Sequence, residues 1–129
     1  MSPQMVLPQE IETFYVIPSL RRGIAQEMKG LGLKQKDIAS ILGVRSAAIS
    51  QYTSSKRGHK ITFPQTFQDE IKHAAPRIKD RMSYVREVQR LLYILRISGS
   101  LCGVHKQLSN VPNECELQLA GCHLTARGA

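Results

Sequence analysis

The 129-residue sequence lacks any apolar run long enough to span a bilayer. Its first ten residues also lack the basic start and apolar stretch of a secretory signal peptide. These two absences argue against a membrane protein and against a secreted one. We therefore expect a cytoplasmic protein without a membrane partner.

The common catalytic motifs are missing as well. The sequence contains no Gly-x-Ser-x-Gly, no His-Glu-x-x-His and no phosphate-binding loop. The carboxylates Asp69, Glu70 and Asp80 are predicted to lie on a solvated helical face. We therefore predict that the protein is not an enzyme.

Acidic residues are scarce, with 10 Asp and Glu against 18 Lys and Arg, a formal net charge of +8. Between Ile17 and Lys60 nine basic residues face only Glu27 and Asp37. A basic segment of this kind favours a polyanionic partner, and nucleic acid is the first candidate. Solubility and attraction to a membrane surface are the other uses of such charge.

Apolar residues recur with helical spacing along most of the chain, which predicts an all-α fold. The first 60 residues carry an N-terminal packing arm at 10–17 and three helices, at 18–30, 35–42 and 46–53. After residue 63 we predict a helix at 65–75 and a last helix, capped by Ser83, that ends near residue 97.

The second and third helices have the features of a helix-turn-helix. Ala39 is small enough to let two crossing helices approach, and Gly43 suits the left-handed backbone of the turn. Ile49 and Tyr52 are predicted to face the core, which leaves a polar face of the third helix free for the major groove.

The free face carries the residue types that recognise DNA. Arg45 can pair with guanine and Gln51 with adenine, and small neighbours let the helix approach the bases closely. The predicted base-reading residues are Arg45, Ser46, Ala47, Ala48 and Gln51. The predicted phosphate-binding residues are Lys34, Gln35, Lys36, Ser50, Lys56, Arg57 and Lys60.

Residues 35–54, QKDIASILGVRSAAISQYTS, resemble the helix-turn-helix of the Cro/C1 (XRE-type) family of regulators. The Gln, Ala, Gly, Val, Ile and Tyr of the motif fall in register. Stretches at 8–11, 17–21, 50–52 and 56–58 resemble a group of archaeal predicted transcriptional regulators. The resemblance implies a five-helix-type reading fold, sequence-specific binding of duplex DNA, and dimers on inverted-repeat operators.

The C-terminal half of the last helix is apolar almost all round, a pattern that a small monomer does not cover by itself. It predicts a homodimer interface, and burial between the reading unit and the tail of a monomer is the alternative. The predicted interface residues are Val85, Val88, Leu91, Leu92 and Leu95. The chain then divides into a DNA-binding domain (1–60), a helical dimerisation region (63–98) and an irregular tail (99–129).

The tail contains all three cysteines, an odd number that excludes complete internal pairing. Cys102, His105, Cys115 and Cys122 (or His123) could hold zinc or an iron–sulfur cluster. One disulfide or free thiols are the alternatives. The family resemblance implies a cysteine-rich tail, matched here at 101–106 and 114–116, but cysteines implied near positions 9, 89 and 92 are absent.

Together these patterns predict a transcriptional regulator that binds double-stranded DNA as a homodimer, with the helix at 46–53 in the major groove. DNA binding requires no cofactor in this hypothesis. Two alternatives come from other functional classes. One is a protein–protein adaptor of the transcription machinery, and the other is a metal- or redox-responsive regulator that uses the tail cysteines.

Overall fold

The computed structural model describes residues 7–54 and 61–99 together with Val104, and every regular element in these stretches is a helix. The predicted all-α class is confirmed. None of the helices in this part of the chain is long and apolar enough to cross a membrane. The helical elements are α1 (Pro8–Ile11), a π-helical segment (Glu12–Val16), α2 (Ile17–Gly30), α3 (Gln35–Leu42), α4 (Ser46–Thr53), α5 (Gln65–Ala74), a 3₁₀ turn (Ala75–Arg77) and α6 (Arg81–Ile97).

The segment predicted as a packing arm is itself helical and runs into α2 without a break. Ile11 and Val16 are fully buried, so the segment does pack against the core. Its last turn is wider than an α-helical turn, because the amide of Ile17 donates to the carbonyl of Glu12. Pro18 follows at once, and the wider turn relieves the clash between a proline ring and the carbonyl four residues earlier.

A single hydrophobic cluster contains buried residues from all six α-helices and also Val104. Helix α2 packs against both α4 and α5, and α3 packs against α6. Described residues of both predicted units, 1–60 and 63–98, therefore contribute to one core. The largest side chains that are fully buried are Ile11, Leu20, Ile24, Met28, Ile38, Ile49, Leu91 and Leu95, with Val16 and Val104.

An ion pair joins the two ends of this fold. Arg96, in the last turn of α6, donates from Nε and Nη2 to the two carboxylate oxygens of Glu12 at 2.6 and 2.5 Å. The side chains are only 24% and 7% exposed. This two-point contact fixes the π-helical segment against the end of α6.

A second ion-pair group connects α5 to α6. Arg90 contacts both Glu70, at 3.2 Å, and the buried Glu87, at 3.0 Å. Arg77 approaches Glu87 from the 3₁₀ turn at 3.7 Å. Glu70, predicted to lie on a solvated face, is therefore half-buried and paired.

The start of α6 differs from the prediction. Asp80, not Ser83, is the N-cap, and its Oδ1 accepts from the amide of Ser83 at 2.8 Å. The hydroxyl of Ser83 in turn accepts from the amide of Asp80 at 3.0 Å. The two residues form a reciprocal capping box, in which serine is the third helical residue. A single sequence does not separate these roles, because both residue types cap helices.

This cap makes the stability of the fold depend on pH. The backbone and side-chain hydrogen bonds from Ser83 hold the pKa of Asp80 below its usual value of 3.8. A carboxylate with a lowered folded-state pKa stabilises the protein above the unfolded pKa, and the contribution disappears as the pH falls through the folded pKa. Asp80→Asn keeps a capping oxygen but removes the charge.

We expect Asp80→Asn to unfold at lower denaturant concentration than the wild type at neutral pH. The difference should shrink as the pH falls below 3.8. Urea unfolding followed by circular dichroism across this range measures the effect. The control is Asp69→Asn, because Asp69 is exposed and does not cap a helix. A difference that stays constant with pH would contradict the proposed role of the charge.

Candidate nucleic-acid interface

Helices α3 and α4 pack against each other and are joined by the turn at residues 43–45. Gly43 has a φ of +72°, in the left-handed region that favours glycine. The amide of Val44 donates back to the carbonyl of Ala39 at 3.0 Å. Ala39 is 6% exposed, so the small residue does lie in the close contact that was predicted for it.

Arg81 supports this turn from the start of α6. Its Nη2 donates to the carbonyl of Ser40 at 3.0 Å, near the end of α3. A Cβ atom at Gly43 would lie 3.1 Å from the Arg81 guanidinium. The turn is therefore covered by a side chain from the second half of the sequence, a contact that the sequence analysis missed.

One face of α4 is firmly held by the rest of the protein. Ile49 and Tyr52 are buried, as predicted, and Val44 packs partly against the same core. Gln26 of α2 donates from Nε2 to the carbonyl of Tyr52 at 3.0 Å. These contacts fix the rotation of α4 about its axis, and so determine which side chains point outward.

The opposite face of α4 stays open in the described part of the chain. Arg45, Ser46, Ala47 and Ser50 are exposed, and Gln51 is half-buried. Helical spacing places Ala47 near the middle of this face, with Ser50 and Gln51 beside it.

Two positions differ from the expected base-reading set. Ala48 is half-buried and packs against the core, so its methyl group is only partly available on the outer face. Ser54, which was not predicted, is exposed one turn beyond Ser50 on the same face. The 3.6-residue period counted from Ala47 would have identified it.

Gln35 contacts α4 directly instead of pointing freely outward. Its Nε2 donates to the carbonyl of Ser46 at 2.9 Å and to the hydroxyl of Ser50 at 2.6 Å. Both N–H groups of the amide are thereby engaged, so a donation from this side chain to phosphate requires these bonds to break. Ser50 uses its oxygen to accept from Gln35 and keeps its own hydrogen for an outside acceptor.

Both helices begin without a capping side chain among the described residues. The N-caps are Lys34 and Arg45, and Lys36 lies in the first turn of α3. All three side chains are exposed. Free amide groups at two helix N-termini, next to these three basic side chains, favour anions, and the exposed carboxylate of Asp37 in the first turn of α3 opposes them in part.

Several predicted site residues lie outside the described residues, and the predictions for them stay predictions. The three phosphate-binding candidates in this position are Lys56, Arg57 and Lys60. The four metal-ligand candidates are Cys102, His105, Cys115 and Cys122.

The predicted dimer-interface residues divide into two groups. Leu91, Leu92 and Leu95 are buried in the core of the single chain, with 0%, 7% and 0% exposure. Their apolar character is therefore satisfied without a partner. Val85 is 43% exposed and Val88 is half-buried, so only the outer side of α6 can contact another molecule.

Comparison with known proteins gives no match to a protein family, to a curated protein or to a solved structure. The surface formed by α3 and α4 is the feature of this chain that bears on its function.

Proposed function

We propose that this protein is a transcriptional regulator of the Cro/C1 type, which binds double-stranded DNA sequence-specifically with α4 in the major groove. One observation carries the proposal: α4 is anchored by α2 and α3 on one face, while its polar face is exposed among the residues that the structure describes. Surface helices commonly expose a polar face, and what distinguishes this one is that Arg45 and Gln51 lie on it beside the small residues Ser46 and Ala47. A rigidly held polar helix is what base recognition requires.

The open face offers chemistry for both common two-point base contacts. Arg45 can donate to O6 and N7 of guanine, and Gln51 can bind N6 and N7 of adenine. Ser46 and Ala47 are small enough to let the N-terminal turn of α4 approach the bases. Ala47, which lies nearer the middle of the face than Ala48, is the better candidate for contact with a thymine methyl group.

The surroundings of this face suit the DNA backbone. Lys34 and Lys36 are exposed beside the uncapped start of α3, and the hydroxyl of Ser50 has a hydrogen to donate. Contacts of this kind position a protein on duplex DNA without reading its sequence. In a homodimer on an inverted repeat, two copies of α4 would lie about 34 Å apart, one turn of B-DNA.

Two alanine substitutions test this division of roles. Gln51→Ala should relax base preference at one operator position and cost about 1–3 kcal/mol on the preferred sequence. Lys36→Ala should weaken binding to all sequences alike. The measurement is selection of bound sites from random duplex DNA, followed by titration of the selected site and scrambled sites. Lys72→Ala, an exposed residue on α5, is the matched control.

An equal loss on every sequence for Gln51→Ala would remove this residue from the base-reading set. Salt dependence tests the proposal as a whole, because a DNA-binding protein releases counterions and loses affinity steeply as salt rises. A protein–protein adaptor that docks through apolar contacts would respond only weakly to salt and would select no DNA sequence.

A further inference from the structure

A cavity of about 340 Å³ lies between α2, α5 and the residues just before α5. This volume falls within the range of known small-molecule sites. One face of α2 forms a wall of the cavity, because the lining residues of this helix recur at spacings of three and four. They are Ser19, Arg22, Gly23, Gln26 and Glu27.

The walls of the cavity combine polar and apolar chemistry. The α2 wall carries a guanidinium, an amide and a carboxylate, while Ile61, Phe63 and Ile71 line the cavity from the opposite side. Gly23 leaves room between the two walls, because a Cβ atom at this position would lie 3.3 Å from Cγ2 of Ile71. A few polar groups beside apolar side chains are the usual composition of a ligand site.

We propose that this cavity binds an α-amino acid with an apolar side chain, and that the bound amino acid strengthens DNA binding. The regulatory step rests on the proposed function. The binding of the amino acid does not, because it depends only on the cavity and can be measured without DNA.

The carboxylate of Glu27 provides a place for the ammonium group of the ligand. Glu27 is half-buried, and its carboxylate makes no hydrogen bond or ion pair with another described residue. It also borders a second cavity, which Lys72, His73 and Arg77 line, without pairing with any of these three residues. Both oxygens of Glu27 can therefore accept hydrogen bonds from an ammonium group in the first cavity.

Arg22 supplies the opposite charge on the same wall. A guanidinium has five N–H donors, so Arg22 can bind a ligand carboxylate in addition to the interaction that it already makes. Arg22 and Glu27 are five residues apart, about 7.5 Å along the axis of α2, and both side chains are long enough to approach one small molecule. A ligand with both charges is favoured, because an acid alone is repelled by Glu27 and an amine alone by Arg22.

Gln26 connects the cavity to the recognition helix. Its side chain lines the cavity, and its Nε2 also donates to the carbonyl of Tyr52 in the last turn of α4 at 3.0 Å. The amide keeps one further N–H and an acceptor oxygen. A ligand bonded to either group restricts the amide to the orientation that holds α4, so α4 is better fixed for DNA. DNA then raises the affinity for the amino acid by the same factor.

Calorimetric titration of the full chain without DNA tests the site. The probes are leucine, isoleucine, methionine and phenylalanine, with two analogues of leucine: isocaproate, which lacks the ammonium group, and isoamylamine, which lacks the carboxylate. At least one amino acid should bind, and each analogue should bind about tenfold or more weakly than leucine, because each lacks one charged contact. Binding of none of the four amino acids at millimolar concentration, as expected if the chain itself filled the cavity, overturns the proposal.

Glu27→Gln tests the assigned contact with the ammonium group. This variant should lose about tenfold in affinity for leucine and should bind isocaproate at least as well as the wild type does. Retained binding of isocaproate shows that the cavity is still formed. Asp69→Asn, which removes an exposed carboxylate of α5, is the control and should bind leucine as the wild type does. Equal affinities of the wild type for leucine and isocaproate would overturn the proposed zwitterion.

The regulatory step is tested by titrating the selected DNA site with and without the amino acid that binds best. The amino acid should raise the affinity of the wild type for DNA about fivefold or more. Gln26→Met, which cannot hold the carbonyl of Tyr52, should show no such increase. An unchanged or lowered affinity of the wild type overturns the regulatory step. Failure of the proposed function gives a different result, because a chain that does not bind DNA would still bind the amino acid in calorimetry.

Discussion

Replacing Arg96 by methionine is expected to lower the free energy of unfolding by about 3–5 kcal/mol. The substitution leaves the carboxylate of Glu12, only 7% exposed, without the guanidinium that now contacts both of its oxygens. A buried charge that loses its partner retains the cost of its desolvation without the compensating attraction. Urea unfolding at neutral pH measures the loss.

The double variant Glu12→Met/Arg96→Met separates the ion pair from simple packing. Removal of both charges leaves no uncompensated group, so we expect this chain to recover most of the stability lost in the single variant. Lys72→Met, at an exposed position of α5, controls for the change from a basic to an apolar side chain. A double variant as unstable as Arg96→Met would mean that the side-chain volumes, and not the charges, determine the effect.

Leu91→Ala is expected to cost about 2–5 kcal/mol of stability, because the side chain is completely buried and its removal leaves a cavity. Val85→Ala, on the exposed side of the same helix, should change stability by less than about 1 kcal/mol. Thermal unfolding of the two variants provides the comparison.

Protein concentration distinguishes a core position from an interface position. If Leu91 belongs to the core of a single chain, the stability lost in Leu91→Ala should be the same in dilute and concentrated samples. A loss of stability in Leu91→Ala that grows with protein concentration would show that Leu91 supports an interface between copies, because association couples stability to concentration.

The sequence patterns succeeded where the determining interactions are local. The bounds of α3 and α4 follow from apolar spacing and from Gly43, whose left-handed backbone ends α3. The inward orientation of Ile49 and Tyr52 follows from the same helical period. The open face of α4 could therefore be predicted almost completely; at its edge, Ala48 is half-buried and Ser54 is exposed without having been predicted.

The contacts that escaped prediction join residues far apart in sequence. Arg81 bonds to Ser40, 41 residues earlier, and Arg96 bonds to Glu12, 84 residues earlier. Neither pair leaves a local periodic signal. For the same reason, the sequence could not show which apolar residues of α6 face inward, because that depends on packing against α3 and α5.

The ion pair between Glu12 and Arg96 also has a consequence for biosynthesis. During synthesis, Glu12 and the apolar residues beside it leave the ribosome long before Arg96, the partner of Glu12, has been made. Val104, which belongs to the same core cluster as Ile11, is translated later still. The nascent chain must therefore keep the apolar residues around Glu12 from aggregating until Arg96 and Val104 have emerged, so the core closes late relative to the synthesis of Ile11.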